Sequence, residues 1–357
     1  MNTGKIARVA LATILVVVLG LGLLGCATQP TGQEADNGEV SARTADSTLD
    51  EAASFPVTIK HIYGETVITS KPERIVTISW SNQDVPLALG VLPVGFSEVT
   101  YGAADESRML PWTKDKVAEL GGIAPVIFKD TQGFDFEAIS DLSPDLILAA
   151  QSGITQEEYD ILSEIAPTVA YPGNPWLTSW RDTITLQATA MGMKDEGEQL
   201  VRDLETTISD SAAKYPQIKG KTVAFAYIEP TDFSTISIYG VTDSRTAYLA
   251  DMGLVTSQSV KELFADDPGA FYMDVSAENV DALSDVDIIV SYGDASLLVA
   301  LQADPLLGSI PAVQRGSVLL VGDTTPLYSG ASPSALSIPY VTEDYARQLA
   351  EAADKVG

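Results

Sequence analysis

A single cysteine, Cys26, and a single histidine, His61, stand in a chain of 357 residues. One cysteine closes no disulfide within the chain, so stability must come from packing. One histidine gives a Ser-His-Asp triad no choice of base, and no Gly-x-Ser-x-Gly elbow occurs. A zinc or manganese cage ordinarily draws several ligands from His and Cys, which leaves open only an all-oxygen site. His61, beside a low-complexity segment, reads as a bystander. Positive charge is also scarce: 21 Lys and Arg stand against 49 Asp and Glu, for a net charge of −28. Bulk electrostatics therefore disfavour nucleic acid and anionic membranes as partners. There is no Walker motif, and the one Gly-x-Gly-x-x-Gly, at Gly20, Gly22 and Gly25, follows no domain strand. Acidic pairs such as Asp266-Asp267 and Asp285/Asp287 read as solvated loop residues, so no carboxylate pair is singled out for acid–base work.

Long apolar runs are equally few. Only Val9 to Gly25 gives 17 uncharged residues, behind Lys5 and Arg8. This is too short and wrongly flanked for a spanning helix, and it fits a secretory leader over residues 1–25. The leader ends Leu23-Leu24-Gly25-Cys26, which resembles the bacterial lipobox. That resemblance implies cleavage before Cys26 and lipidation of its sulfur; the alternative is an ordinary leader with an incidental cysteine. Residues 26–54, rich in Thr, Gly, Ala, Asp, Glu and Ser without an aromatic, read as a lipid-anchored disordered tether. Its reach would be roughly 30 Å. The rest of the chain is then expected on the extracytoplasmic face of the bacterial cell membrane.

From Phe55 the pattern becomes short apolar runs alternating with helical stretches. Strands are predicted at Arg74–Trp80, Leu92–Phe96, Leu146–Ala150 and Thr168–Tyr171, and helices at Ser81–Leu89, Phe136–Leu142 and Glu157–Ile165. The alternation predicts a parallel sheet covered on both faces. A helical region follows from Trp180 to Tyr215, its second part starting at a capping-box-like Asp195 and Glu198. Its stripe Leu200, Val201, Leu204, Ile208, Ala212, Tyr215 has the spacing of one buried face. Further strands are predicted at Thr222–Tyr227, Asp287–Ser291 and Ser317–Val321, with helices at Arg245–Met252, Ala277–Leu283 and Thr342–Lys355. The halves echo each other: Glu137-Ala-Ile-Ser-Asp-Leu142 matches Glu278-Asn-Val-Asp-Ala-Leu283 at an offset of 141, and Leu89-Gly90 is repeated in Met252-Gly253. The division is an N-terminal α/β lobe at 55–180, an inter-lobe helical region at 181–216, and a C-terminal α/β lobe with a terminal helix at 217–357. The fold class is α/β, two Rossmann-like lobes joined by a long helix.

Ligands of parallel α/β sheets gather at the carboxyl ends of strands. Here those ends carry Ser79-Trp80-Ser81, Gln151-Ser152-Gly153, Tyr292-Gly293 and, beyond the last strand, Leu327-Tyr328-Ser329. Trp176 and Trp180 lie in a Pro/Gly-rich loop where the lobes should meet. Aromatic and hydroxyl groups around an inter-lobe cleft suit a large, partly aromatic ligand. The candidate ligand-binding residues are Trp80, Tyr101, Trp176, Trp180, Arg181, Tyr239, Arg245 and Tyr292. Trp112 reads equally as core.

Four stretches carry a family resemblance: Lys71-Pro-Glu-Arg-Ile-Val-Thr-Ile-Ser-Trp80, Leu87-Ala-Leu-Gly-Val-Leu-Pro-Val-Gly95, Phe136-Glu-Ala-Ile-Ser-Asp-Leu-Ser-Pro-Asp-Leu-Ile-Leu148 and Ile165-Ala-Pro-Thr-Val169. From Phe55 onward the chain resembles the helical-backbone (class III) solute-binding proteins of ABC importers, in the ferric-siderophore and cobalamin group. The resemblance implies a monomeric, non-enzymatic receptor with no cofactor and no metal site of its own. Its cargo would be a ferric siderophore whose iron is held by the chelate, delivered to an ABC permease dimer with a cytoplasmic ATPase. It implies one docking carboxylate per lobe, Glu137 and Glu278, whose positions in the internal echo suit a two-fold partner. Cobalamin or haem remains an alternative cargo, and a surface-tethered hydrolase the alternative class.

Overall fold

The structure, a computed structural model, describes residues 55–130 and 133–357. The leader, Cys26 and the tether to Ser54 lie outside the described residues. An antiparallel hairpin that the sequence did not announce comes first: β1 (Val57–His61) and β2 (Gly64–Ile68). Alternation buries Ile59, His61, Thr66 and Ile68 and leaves Thr58 and Lys60 outside. The His61 Nδ1 accepts the Tyr63 N–H at 3.2 Å and its Nε2 pairs with Thr66 Oγ1 at 2.9 Å, so this histidine serves the hairpin.

β-branched and aliphatic runs then build a five-stranded sheet from β3 (Ile75–Thr77), β4 (Gly95–Ser97), β5 (Val126–Phe128), β6 (Leu146–Leu148) and β7 (Thr168–Val169). Its order is β5-β4-β3-β6-β7, and every pairing is parallel. Helices α1 (Asp84–Ala88), α2 (Pro111–Leu120), α3 (Phe136–Asp141) and α4 (Gln156–Ile165) connect the strands. Strand β3 is shorter than the predicted Arg74–Trp80 because the backbone leaves the sheet at Ser79 and turns left-handed there, φ 64°. For the same reason α1 starts only at Asp84 and not at Ser81.

The predicted helical region at 180–215 is two helices, α5 (Trp180–Ala190) and α6 (Lys194–Ala213). Gly192, at φ 70°, stops α5: its N–H bonds Thr189 C=O at 3.0 Å and Met193 N–H bonds Ala188 C=O at 2.8 Å. This is a Schellman stop. The repeated Leu89-Gly90 and Met252-Gly253 pairs are stops of the same kind, with Val91 N–H on Pro86 C=O at 2.8 Å and Leu254 N–H on Leu249 C=O at 3.1 Å. Helix α6 has Met193 as N-cap without a side-chain bond, which corrects the expected Asp195 cap. Its 20 residues span about 30 Å.

The second sheet holds β8 (Thr222–Ile228), β9 (Thr235–Tyr239), β10 (Val255–Thr256), β11 (Tyr272–Ser276), β12 (Ile288–Tyr292) and β13 (Val318–Val321), with order β11-β9-β8-β12-β13 and β10 also on β8. Strand β9 runs antiparallel to β8, and β11 antiparallel to β9, so this sheet is mixed and not wholly parallel as expected. Residues 229–234 are too few for a parallel crossover, which needs about a dozen. Helices α7 (Ser244–Asp251), α8 (Gln258–Leu263), α9 (Ala295–Ala303), α10 (Pro311–Arg315), α11 (Pro326–Gly330) and α12 (Ser337–Ala353) complete the lobe. The predicted helix at Ala277–Leu283 is a 3-10 segment kinked at Asn279. Asp285 and Asp287 are not idle loop acids: Asp285 accepts the Gln258 and Ser259 N–H groups that open α8, and Asp287 accepts the Thr222 N–H at 2.9 Å. One apolar core runs from Ile75, Val85 and Leu146 through Ile184 and Leu204 to Val223 and Tyr345, so both lobes and both inter-lobe helices share it.

Asp84 is wholly buried in this core region. Its carboxylate accepts from Trp112 Nε1 and Thr113 Oγ1, both at 3.0 Å, from Gln83 Nε2 at 3.2 Å, and from Ser334 Oγ ahead of α12. It thereby ties the first lobe to the C-terminal segment, and Trp112 is a core residue. Burial lifts its pKa from the ordinary 3.8 to about 6 although four donors favour the charged form. The stabilisation from protonated Asp84 is complete below about 3.8 and is lost as pH rises through about 6. Relative to Asp84→Asn, the wild type should therefore lose a few degrees of Tm across that window, measured by thermal unfolding at stepped pH. A pH-independent difference between the two proteins would refute a titrating Asp84.

Candidate functional site

The carboxyl ends of β3 and β7 point the same way, and the loops that leave them carry Trp80 and Trp176. Ser79 and Ser81 both take left-handed backbone, φ 64° and 55°, and present Trp80 between them. Strained non-glycine residues of this kind persist only where surroundings fix them. Asn82 does so. Its Nδ2 donates to Ile78 C=O at 2.7 Å and Gln151 C=O at 2.8 Å; its Oδ1 accepts from Gln151 N–H at 3.0 Å and Gln187 Nε2 at 2.6 Å. This buried amide uses its full bonding capacity to tie the Trp80 loop to the Gln151 loop and to α5. Tyr101 stacks on Trp80, with centroids 5.3 Å apart and planes within 6°. Trp176, itself at φ 64°, bonds the Gln151 loop through its N–H to Ser152 C=O at 2.9 Å.

The second lobe contributes an arginine inside an aromatic box. Asp243 is fully buried, caps α7 through the Arg245 N–H, and holds the Arg245 guanidinium by Nε and Nη2, both at 2.8 Å. The guanidinium lies 3.6 Å from the Tyr239 ring centroid and 5.2 Å from that of Phe271, and its Nη1 is 3.5 Å from Tyr292 Oη. Burial opposes its charge, but the Asp243 carboxylate overrides this and raises the pKa further. Burial likewise raises the Tyr292 phenol to about 12, against the pull of Arg245, so it stays a neutral donor at neutral pH. The Tyr239 phenol is raised by burial too.

These groups face one another across a cavity of about 430 Å³. Trp80, Tyr101, Gln151 and Trp176 line it from the first lobe; Tyr227, Tyr239, Arg245, Phe271, Tyr292 and Tyr328 are among those lining it from the second. A second chamber of about 320 Å³ adjoins it in the first lobe and shares Trp80, Tyr101 and Trp176 as walls. Its carboxylates are Glu98, paired with Arg108, Glu158, bonded into the α4 cap, and Asp130. Among the described residues lining either chamber, Arg245 is the sole Lys or Arg.

Six of the eight residues expected to bind ligand thus meet around one cavity: Trp80, Tyr101, Trp176, Tyr239, Arg245 and Tyr292. Trp180 and Arg181 do not. Trp180 is 5% exposed, its Nε1 donates to Asp251 at 3.0 Å, and it borders only a void of about 10 Å³ beside Trp80. Arg181 pairs with Asp251 at 2.9 Å and Glu205 at 2.6 Å and lies 4.2 Å from the Trp180 ring centroid, so it joins α5, α6 and α7. Both belong to the inter-lobe packing because α5 begins at Trp180 and turns its first residues toward α7. Sequence reasoning missed Asp243, Tyr227 and Phe271. Tyr227 ends a predicted strand and was legible there; Phe271 precedes an unpredicted antiparallel strand and was not.

Glu137 and Glu278 are both exposed, in the first turn of α3 and of the kinked 3-10 segment. Each segment leads into the strand beside the first strand of its sheet, β6 beside β3 and β12 beside β8. Just before those strands, Asp145 accepts the Glu73 and Arg74 N–H groups at 2.8 Å, as Asp287 accepts that of Thr222. The two glutamates therefore hold equivalent places in the two lobes.

No helix among the described residues is long and apolar enough to cross a membrane. A family model described as "Periplasmic binding protein" matches residues 75–325. The crystal structure of PiaA from Streptococcus pneumoniae TIGR4 in complex with ferrichrome is similar at 45% identity, covering 84% of this chain and 99% of that one with a TM-score of 0.80. The probable siderophore-binding lipoprotein YfiY of Bacillus subtilis is 29% identical over 252 residues, 69% of this chain and 71% of YfiY. The Fe(3+) dicitrate-binding periplasmic protein FecB of Escherichia coli is 24% identical over 277 residues, 76% of this chain and 84% of FecB. With a two-lobed fold, a cleft built for binding and a family match across both sheets, this chain belongs to the periplasmic binding protein family, in its class III, substrate-binding form.

Proposed function

We propose that this protein is the receptor of an ABC importer that captures a ferric hydroxamate siderophore, of the ferrichrome kind, in the inter-lobe cleft. The observation that carries the reading is the charge balance of the cleft. In the larger chamber the one arginine is already paired with Asp243, and the other walls are aromatic rings, phenols, an amide and the Ser244 and Ser332 hydroxyls. Such a site suits a neutral chelate with carbonyl-type oxygens at its surface, which Arg245 Nη1 and the phenols can meet as donors. A ferric tris-catecholate is strongly anionic and would require unpaired basic groups. PiaA, similar over nearly its whole length, is described in complex with ferrichrome, which supports the same choice. The iron is part of the cargo.

The docking role proposed for Glu137 and Glu278 rests on their equivalent, exposed places, one per lobe, opposite a two-fold permease. Lipid attachment at Cys26, with residues 26–54 as tether, would hold the receptor at the extracytoplasmic face within reach of that permease.

Tryptophan fluorescence of residues 27–357 tests the cargo. Ferric trihydroxamates should quench saturably, ferric tris-catecholates only weakly. Saturable quenching by cobalamin or haem, with none by a ferric hydroxamate, would overturn the reading. Arg245→Lys keeps the charge but loses the planar donor fork and should weaken hydroxamate binding roughly tenfold, the worth of one charged hydrogen bond. Glu137→Ala combined with Glu278→Ala should leave that affinity intact and abolish iron uptake in cells; undiminished uptake would refute the docking roles.

A further inference from the structure

Trp176 is 41% exposed and sits in the loop between β7 and α5, yet it is a wall of both chambers. What fixes so exposed an indole is the backbone of Gly153. A Cβ placed on Gly153 would fall 2.3 Å from Trp176 Nε1, 2.5 Å from Cε2 and 2.9 Å from Cζ2. These distances are far inside van der Waals contact, so the indole occupies the space that any side chain at 153 would need. Gly153 is not in the left-handed region, so its own backbone does not demand glycine. The neighbours complete the seat: Ser152 C=O accepts the Trp176 N–H at 2.9 Å, and Gln151 Nε2 donates to Trp176 C=O at 3.0 Å. Gln151 is in turn locked by its backbone to Asn82.

We infer that Gly153 is a positioning residue that sets the Trp176 indole as the partition of the cleft, and that the absence of a side chain at 153 tunes ligand affinity. Alanine there is compatible with the backbone, and the three atoms nearest its Cβ all belong to the indole. The ring must then leave its seat and change the width of the cleft. Gly153 acts on the ligand only through Trp176. The affinity part rests on the hydroxamate reading; the placement of the indole does not.

The test is a double-mutant cycle of Gly153→Ala and Trp176→Ala, with Gly153→Ala also placed in a Trp176→Phe background. Without ligand, Gly153→Ala should shift tryptophan emission and alter acrylamide quenching: Trp112 and Trp180 are buried, so the accessible signal comes from Trp176 and the half-buried Trp80, and the Trp176→Phe background separates these two. The shift should vanish in the Trp176→Phe background. With a ferric trihydroxamate as probe, Gly153→Ala should weaken binding about tenfold in the wild type and less than about twofold beside Trp176→Ala. Unchanged emission, or an equal loss of affinity in both backgrounds, would overturn the inference. If Gly153→Ala alone unfolds the protein, the double variant should recover the Tm of Trp176→Ala; a double variant as unstable as Gly153→Ala would overturn it. Should the wild type bind no ferric hydroxamate, the proposed cargo falls while the ligand-free emission still decides the role of Gly153.

Discussion

The carboxamide of Asn82 is the constraint on which the binding face depends. It is buried without exposure, and its two donors and two acceptor sites are all used, on two segments of the first lobe and on the inter-lobe helix α5. One bond returns to the end of β3, two hold the loop after β6, and one reaches Gln187 on α5. A buried amide pays heavily for any missing partner, so the four bonds form together or not at all. That cooperativity holds Ser79 and Ser81 in left-handed backbone and makes Trp80 and the seat of Trp176 parts of one rigid object.

The cleft shows a second kind of economy. The chain carries a net charge of −28, yet in the chamber around Arg245 the charged groups are one matched pair. Asp243 is both the cap of α7 and the counter-ion of Arg245, so the arginine is oriented and its charge compensated by the same carboxylate. Tyr239, Phe271 and Tyr292 surround the guanidinium, leaving Nη1 as its one nitrogen without a bond to Asp243. A charge so arranged gives direction to hydrogen bonds more than it gives long-range attraction.

The two lobes repeat one device at their sheet starts. Asp145 and Asp287 each stand before the strand neighbouring the first strand, and each accepts backbone N–H at the entry to that first strand, from Glu73 and Arg74 just ahead of β3 and from Thr222 at the start of β8. The repeated glycine stops after α1 and α7 are likewise one hydrogen-bonding pattern. Such repetition gives Glu137 and Glu278 equivalent places, while the shared apolar core and the buried Asp84 bind the halves together.

Local chemistry made much of this legible from the sequence alone. β-branched runs marked β3, β6, β8, β12 and β13, the apolar stripe from Leu200 to Tyr215 marked α6, and glycines marked the helix stops, because each is decided within a few residues. The strand-end rule also led to Trp80 and Tyr292. Tertiary structure decided the rest. Whether a tryptophan near the inter-lobe region faces a cleft or the core depends on where its helix begins, and Trp180 was turned inward by α5 packing on α7. Arg181 found Asp251 and Glu205, and Arg245 found Asp243 and an aromatic box, although all are basic residues in an acidic chain. The antiparallel β9 and β11 followed from a connection too short to cross over, and Phe271 joined the site only through that sheet. Composition and periodicity fix what a segment can become; the partners of a side chain are set by segments remote in sequence, and only folding brings those together.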